Sequence, residues 1–256
     1  MNVPNQQQRV CVDLWCAPEP AAYDPILTQR YATLLSGAER ARWQRFVREA
    51  DRNRFLLARA LVRTVLAAYR AMAPQDLEFT ADAWGKPHLL PLPQEQTPPH
   101  FNLSHTQGMA VLAVSRQAPL GVDVERVARV ADAEALALRY FAPEEWRALQ
   151  ALPHDERQAH FLRLWTLKEA YVKALGLGLR MPLDSFAFSF AGDAVNLTRR
   201  EGQGAEEPMC VHSLLLAPRH RVGLAVRCTA AVDLRLYQGL PLCEPWRTAD
   251  PAHALR

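Results

Sequence analysis

The sequence predicts a mixed α/β fold built from a duplicated unit, and three observations predict it. First, the order strand, short helix, long helix occurs twice along the 256 residues. Second, the strand carrying Val122-Asp123-Val124 repeats the pattern of Val12-Asp13-Leu14, and Ala142–Gln150 with Trp146 repeats Ala38–Arg45 with Trp43. Third, Phe161-Leu162 and Leu167 follow Phe55-Leu56 and Leu61 at a constant offset of 106 residues. A boundary is expected near residues 116–120, giving an N-terminal half over 1–117, a C-terminal half over 118–238 and a tail over 239–256.

Taken in order, Val10 to Trp15 has the apolar run of a buried strand, and short helices are expected over Pro25–Leu35 and Gly37–Arg45. Asp51 opens a long amphipathic helix whose apolar face carries Phe55, Leu56, Leu61, Val62, Val65 and Leu66, and Pro74 ends that region. Short strands are expected near Leu77–Thr80 and His88–Leu90, before a loop carrying Pro91, Pro93, Pro98 and Pro99. Phe101–Leu103, Met109–Val114 and Gly121–Glu125 have strand composition. A second long helix runs from about Asp155 to Leu175, stopped by Gly176 and Gly178. From Ser185 the chain alternates as strands at Phe186–Phe190, Val211–Leu216, Val222–Val226 and Val232–Leu236; the tail, with three prolines, reads as loop.

Composition narrows the function classes. Hydrophobic residues at 49% and charged residues at 22% are globular values, which argues against disorder and coiled coil. No apolar stretch reaches a spanning length, and MNVPNQQQRV has no basic segment leading into an apolar one, so a soluble cytoplasmic protein without a membrane role is expected. The five cysteines contain no CxxC pair, which makes scattered reduced thiols the expectation. A net charge of +3 suits an acidic partner, but no cationic run is dense enough for nucleic acid. Of the 30 cationic side chains only Lys86, Lys168 and Lys173 are lysine, a hint that a compact ammonium is needed there, for example against phosphate.

Four segments can carry chemistry. On Gly-Val-Asp-Val-Glu-Arg the strand period places Asp123 and Glu125 on one face, an arrangement that suits a hard cation or simply a solvated strand edge. On the second long helix Glu169 and Lys173 are neighbours at i and i+4, with Trp165 one turn earlier; an ordinary surface ion pair is the competing account. Trp84-Gly85-Lys86-Pro87 offers close backbone approach and a point charge for a phosphate, or only a turn. Phe101-Asn-Leu-Ser104-His105 offers hydrogen bonds to a second phosphate, or a satisfied loop histidine. Walker, GxSxG and GxGxxG patterns are absent.

In this order and wording the four segments resemble the 4'-phosphopantetheinyl transferases of the Sfp type, over roughly residues 36 to 190. The resemblance implies an α+β (α/β) fold of two similar subdomains related by a pseudo-twofold, with the active site between them. It implies Mg²⁺-dependent transfer from coenzyme A to a serine of an acyl or peptidyl carrier protein of fatty acid, polyketide or nonribosomal peptide synthesis, by a monomer. Asp123, Glu125 and Glu169 then correspond to the metal ligands, with Glu169 and Lys173 as the catalytic pair and Lys173 facing the pyrophosphate. Ser104 and His105 correspond to the motif holding the adenosine 3'-phosphate and neighbouring groups, and Gly85, Lys86 and Pro87 to the loop beside the adenine. Arg42 matches a basic phosphate-contacting position and Arg54 extends that cluster, while Glu39 stands where some members carry lysine, with Arg40 as its substitute. A coenzyme A-binding regulator without chemistry would be marked by a missing acid, and all three are present. The carrier is expected to dock beside residues 168–177, where Tyr171 and Leu175 either offer apolar contact or only pack the helix.

Overall fold

The computed structural model describes residues 9–128, 130, 132–199, 207–216, 219–243 and 246–249. The first half runs β1 (Val10–Pro18), α1 (Pro25–Leu34), α2 (Gly37–Gln44), α3 (Glu49–Arg70), β2 (Phe79–Ala81), β3 (Pro87–Leu89), β4 (His100–Thr106) and β5 (Met109–Ser115). The second runs β6 (Leu120–Arg126), α4 (Ala133–Tyr140), α5 (Pro143–Ala151), α6 (His154–Leu175), β7 (Phe186–Ala191), β8 (Ala194–Arg199), β9 (Cys210–Leu216) and β10 (His220–Val226), with β11 (Val232–Gln238) and β12 (Arg247–Ala249) following. The mixed α and β fold expected from the sequence is the one observed. Strand, three helices, hairpin and two strands occur twice, and the sheet order β1-β5-β4 repeats as β6-β10-β9.

Local chemistry explains the helix starts. Asp24 caps α1 by accepting the Ile26 N–H, with Pro25 in the first turn. Ser36 and Glu39 form a reciprocal capping box on α2. The two long helices are each 22 residues and carry acids in the first turn and a base in the last, as the helix dipole favours.

The layers stack as helix, sheet, sheet, helix. The apolar face expected on α3 is buried against the five-stranded sheet β12-β11-β1-β5-β4. A second core fills the space between that sheet and the three-stranded sheet: Val12, Leu14, Val111 and Ala113 meet Val122, Val124, Leu214 and Leu224. The other face of the small sheet is covered by α6.

That last contact is backbone on backbone. A Cβ at Gly121 would stand 2.2 Å from the Ala170 carbonyl oxygen, and one at Gly223 would stand 2.2 Å from that of Thr166. The two glycines let α6 sit directly on β6 and β10.

Several elements depart from the sequence reading. The tail expected as loop contributes β12 and packs Leu240, Leu242 and Trp246 on the first core, and its residues 244–245 and 250–256 lie outside the described ones. β11 pairs in parallel with β1 rather than staying with the second half's sheet. The unanticipated α4 leaves Leu138 64% exposed, which interrupts its apolar stripe, and its Asp132 cap makes no side-chain bond. The equally unanticipated β8 alternates only between exposed and half-buried positions. Among the described residues, no helix is long and apolar enough to cross a membrane.

Two of the three lysines serve the fold through backbone carbonyls. Lys168 is fully buried, pairs with Glu145 at 2.8 Å, and donates to the Leu183 and Phe186 carbonyls at 2.6 and 2.7 Å. Glu145 in turn accepts the Phe188 and Ala142 N–H groups, so every polar atom of the pair is occupied and no phosphate role is left for Lys168. Lys86 donates to the Leu120 and Lys173 carbonyls at 3.1 and 2.6 Å, fastening the β2–β3 hairpin to β6 and the end of α6. The sequence offered this ammonium to a phosphate; it is turned inward instead.

Gly121→Ala and Gly223→Ala should each destabilise the protein by at least ~1–3 kcal/mol, the usual cost of overpacking. Gly37→Ala, with open space around its Cβ position, should leave the thermal midpoint nearly unchanged. Burial lowers the Lys86 ammonium to about 8, opposed by Asp82 and reinforced by Arg227. Above pH 8 the unfolded chain therefore holds a proton the folded one has lost. Stability relative to Lys86→Met should rise from pH 8 towards 10.5, and the Lys86 ε-carbon NMR signal should titrate in step.

Candidate active site

Because Val122 and Val124 fill the core between the sheets, the strand period turns Asp123 and Glu125 to the α6 side, where Glu169 and Lys173 lie on the helix. Lys173 Nζ sits 2.6 Å from Asp123 Oδ1, so the sequence motifs from β6 and α6 do meet. Burial pushes the Glu169 carboxyl above its ordinary range and Asp123 adds to the rise, with Lys173 opposing. Glu125 is raised by burial and Asp123 and, more weakly, Glu169, while the Thr106 hydroxyl and Lys173 oppose. Three carboxylates therefore share one ammonium, and charge is left over.

Strand β4 supplies the floor. Asn102 Oδ1 accepts the Val122 N–H at 2.8 Å and Ser104 Oγ accepts the Val124 N–H at 3.3 Å, so two side chains replace a backbone ladder between β4 and β6. Ser104 gives its own hydrogen to Asp123 Oδ1 at 2.9 Å and stands 3.5 Å from Lys173 Nζ. That hydroxyl is engaged with the acid cluster, whereas the sequence assigned it to a phosphate. Thr106 donates to Glu125 Oε2 at 3.0 Å, a contact the sequence reading missed although Thr106 shares the strand face of Ser104.

The chemistry of these donors fits a hard divalent cation. Asp123 Oδ2 is buried without a hydrogen-bond partner, the carboxylates repel one another, and all the surrounding donors are oxygen. Among the described residues no three potential ligands close on one point, and Lys173 holds Asp123.

Cations gather on the adjoining side. Enclosure, then Arg54, Arg59 and Lys173, hold the His105 imidazole below its usual range, so it stands neutral within a positive field. Arg42 lies with its guanidinium 5.4 Å from the centre of the Phe55 ring, exposed, and Arg59 shares that ring at 5.9 Å. Arg54 is held by Asp51 at 3.1 Å and Glu19 at 3.8 Å. Glu39 pairs with Arg63 at 2.6 Å and Arg59 at 3.7 Å, and Arg40 donates to the Ala32 carbonyl, so Arg40 does not stand in for a lysine at position 39. Gly85, at φ +84°, and Pro87 shape the hairpin that Lys86 ties to the Lys173 carbonyl. Arg59 was overlooked because it reads as one more charge on an amphipathic helix.

A cleft of about 740 Å³ opens beside Glu169 and Lys173. Leu136 and Tyr140 of α4, Trp165 and Val172 of α6, and the Met181–Asp184 turn line it. The buried Lys168–Glu145 pair fixes that turn, since Lys168 donates to Leu183 from the opposite side of the helix. Tyr171, by contrast, is 2% exposed and packs on Phe186 and Phe188, so it offers no docking contact and only Leu175 stays half-exposed.

Comparison with known proteins gives this site its setting. A family model described as the 4'-phosphopantetheinyl transferase superfamily matches residues 119–225, and one described as 4'-phosphopantetheinyl transferase, N-terminal, matches residues 23–117. The 4'-phosphopantetheinyl transferase HetI of a Nostoc species is 37% identical over 168 residues, covering 66% of this chain and 70% of that protein. The 4'-phosphopantetheinyl transferase Sfp of Bacillus subtilis is 33% identical, covering 62% and 68%. A crystal structure of Thermotoga maritima holo-[acyl-carrier-protein] synthase aligns with a TM-score of 0.37 at 25% identity, covering 46% of this chain and 67% of that one. With 37% identity extending over more than two thirds of HetI, the chain belongs to the 4'-phosphopantetheinyl transferase superfamily and is a transferase of that kind.

Proposed function

We propose that the enzyme transfers the 4'-phosphopantetheine group of coenzyme A to a serine of an acyl or peptidyl carrier protein, acting as a cytoplasmic monomer. The observation that carries the reading is the ion pair of Lys173 with Asp123, electrostatically coupled to Glu125 and Glu169, with Glu169 and Lys173 lining a cleft and cations gathered around His105. Negative and positive groups side by side suit one substrate that carries phosphates at two places and a second whose hydroxyl must lose a proton.

In this reading the serine oxygen attacks the β-phosphorus of coenzyme A. The bond from that phosphorus to the bridging oxygen breaks, and adenosine 3',5'-bisphosphate leaves. Mg²⁺, held by Asp123, Glu125 and Glu169, would neutralise pyrophosphate charge when bound. Lys173 contributes a fixed ammonium for the departing phosphate. Glu169, which opens on the cleft, takes the serine proton. Arg42, Arg54, Arg59 and His105 orient the adenosine end. The half-apolar cleft between α4 and the Met181–Asp184 turn suits the pantetheine arm, which is uncharged.

Mass spectrometry of apo-carrier proteins after incubation with enzyme, coenzyme A and Mg²⁺ tests the reaction itself, and no carrier gaining phosphopantetheine would refute it. Asp123→Ala, Glu169→Gln and Lys173→Met should each lower kcat by ~10²-fold or more, the scale of losing one charge stabiliser, with the fold retained in circular dichroism. A Glu169→Gln enzyme as active as wild type at limiting Mg²⁺ would remove Glu169 from both of its roles.

Arg42→Ala should mainly raise the KM for coenzyme A, since a remote phosphate contact contributes to ground-state binding. Dephospho-coenzyme A, which lacks the 3'-phosphate, should bind wild type poorly yet be unaffected by the substitution. An equal loss with both substrates would show that Arg42 does not reach that phosphate.

A further inference from the structure

Cys210 and Cys228 lie together where the chain leaves the three-stranded sheet for the five-stranded one. Cys210 opens β9 opposite Val226, the last residue of β10, and Cys228 follows two positions later. The Cys210 sulfur is 3.3 Å from the Ala230 carbonyl oxygen and 3.6 Å from the Cys228 carbonyl oxygen. The Cys228 sulfur is 3.4 Å from the same Ala230 oxygen. Two sulfurs sharing one acceptor, on backbones joined across an antiparallel ladder, stand side by side. Both thiols are half-buried, within reach of a small reagent. The other cysteines differ: Cys16 is buried, Cys243 is exposed, and Cys11 faces the Asp233 carboxylate.

We propose that Cys210 and Cys228 are a modification site, a dithiol that closes reversibly to a disulfide on reaction with a low-molecular-weight disulfide. The Cys210 thiolate attacks one sulfur of the reagent and expels the other as a thiolate, leaving a mixed disulfide. The Cys228 thiolate then attacks the Cys210 sulfur and expels the second half. The two thiol protons end on the two released thiolates, the protein loses two electrons, and the reagent is reduced to two thiols. Burial, and then the neighbouring Cys210, push the Cys228 thiol up, which disfavours it as the thiolate that begins the exchange. Closing the bond would clamp the segment from Arg227 to Ala231 that carries the chain from one sheet to the other.

The test incubates the wild-type protein with glutathione disulfide, blocks remaining thiols with iodoacetamide and maps tryptic peptides. Cleavage at Arg200, Arg219, Arg227 and Arg235 puts Cys210 and Cys228 on separate peptides, apart from those holding Cys11, Cys16 and Cys243. The expected result is one cross-linked pair joining the Cys210 and Cys228 peptides, released by dithiothreitol, with the other three cysteines alkylated. A Cys228→Ser protein should instead retain glutathione on Cys210. Five alkylated cysteines, a bridge to another cysteine, or a wild-type protein that stops at the mixed disulfide would each overturn the proposal.

Discussion

The site depends on the contact of α6 with β6 and β10, where helix backbone lies on strand backbone. Ordinary helix-on-sheet packing keeps the two apart by the thickness of side chains. At Gly121 and Gly223 that thickness is removed, and a Cβ at either would collide with a helix carbonyl. Two consequences follow from the close approach. Lys173 is brought against Asp123, and Glu125 and Glu169 lie close enough for the Asp123 charge to raise both carboxyls. The helix is also held against sliding, because carbonyls of Thr166 and Ala170 are seated in the glycine gaps. Rigidity at this place matters more than bulk stability, since a charge displaced by an ångström loses much of its effect on a transferring phosphate.

The duplicated order makes the chemical asymmetry of the halves plain. β1 carries Val-Asp-Leu-Trp where β6 carries Val-Asp-Val-Glu. Asp13 accepts from the Tyr69 hydroxyl through one oxygen and keeps the other buried without a partner, whereas Asp123 meets an ammonium, a serine and two further acids nearby. Trp15 stacks on Tyr237 at 4.2 Å in the position where Glu125 faces α6. One copy of the unit thus became a packing surface, and the other kept an excess of buried negative charge. Such an excess opposes folding in isolation. Its retention in one half only is what a binding role for a cationic partner group requires.

Much of this architecture was legible in the sequence, for physical reasons that differ by element. The long helices and inner strands announce themselves because burial on one face forces a period, as with Phe55, Leu56, Leu61 and Leu66 on α3. The pairing of Asp123 and Glu125 on one face follows from strand geometry alone. What could not be read was anything decided by a distant partner. α4 hides because an exposed Leu138 blurs its stripe, and β12 because three residues pairing at a sheet edge need no pattern. In the site, the sequence gathered the motifs but not their internal bonds. Lys86 and Lys168 looked like free ammonium groups, and only the fold brings the carbonyls of Leu120 and Leu183 to them. Thr106 and Asn102 went unremarked because hydroxyl and amide side chains are common on strands, and their roles exist only once β6 lies alongside.

The parallel pairing of β1 with β11 reaches beyond the finished structure. Val10 is registered against Val232, so β1 waits for β11, which lies far downstream, before its outer edge is covered. During synthesis the first half can assemble β1 with β5 and β4, but it does so with an open edge between Val10 and Cys16 throughout the making of the second half. Open edges invite pairing with other chains. Long-range closure of this kind is slow, because the loop must be ordered before the contact rewards it. Chains stalled before β11 is made accordingly leave the outer edge of β1 bare and are prone to associate through it.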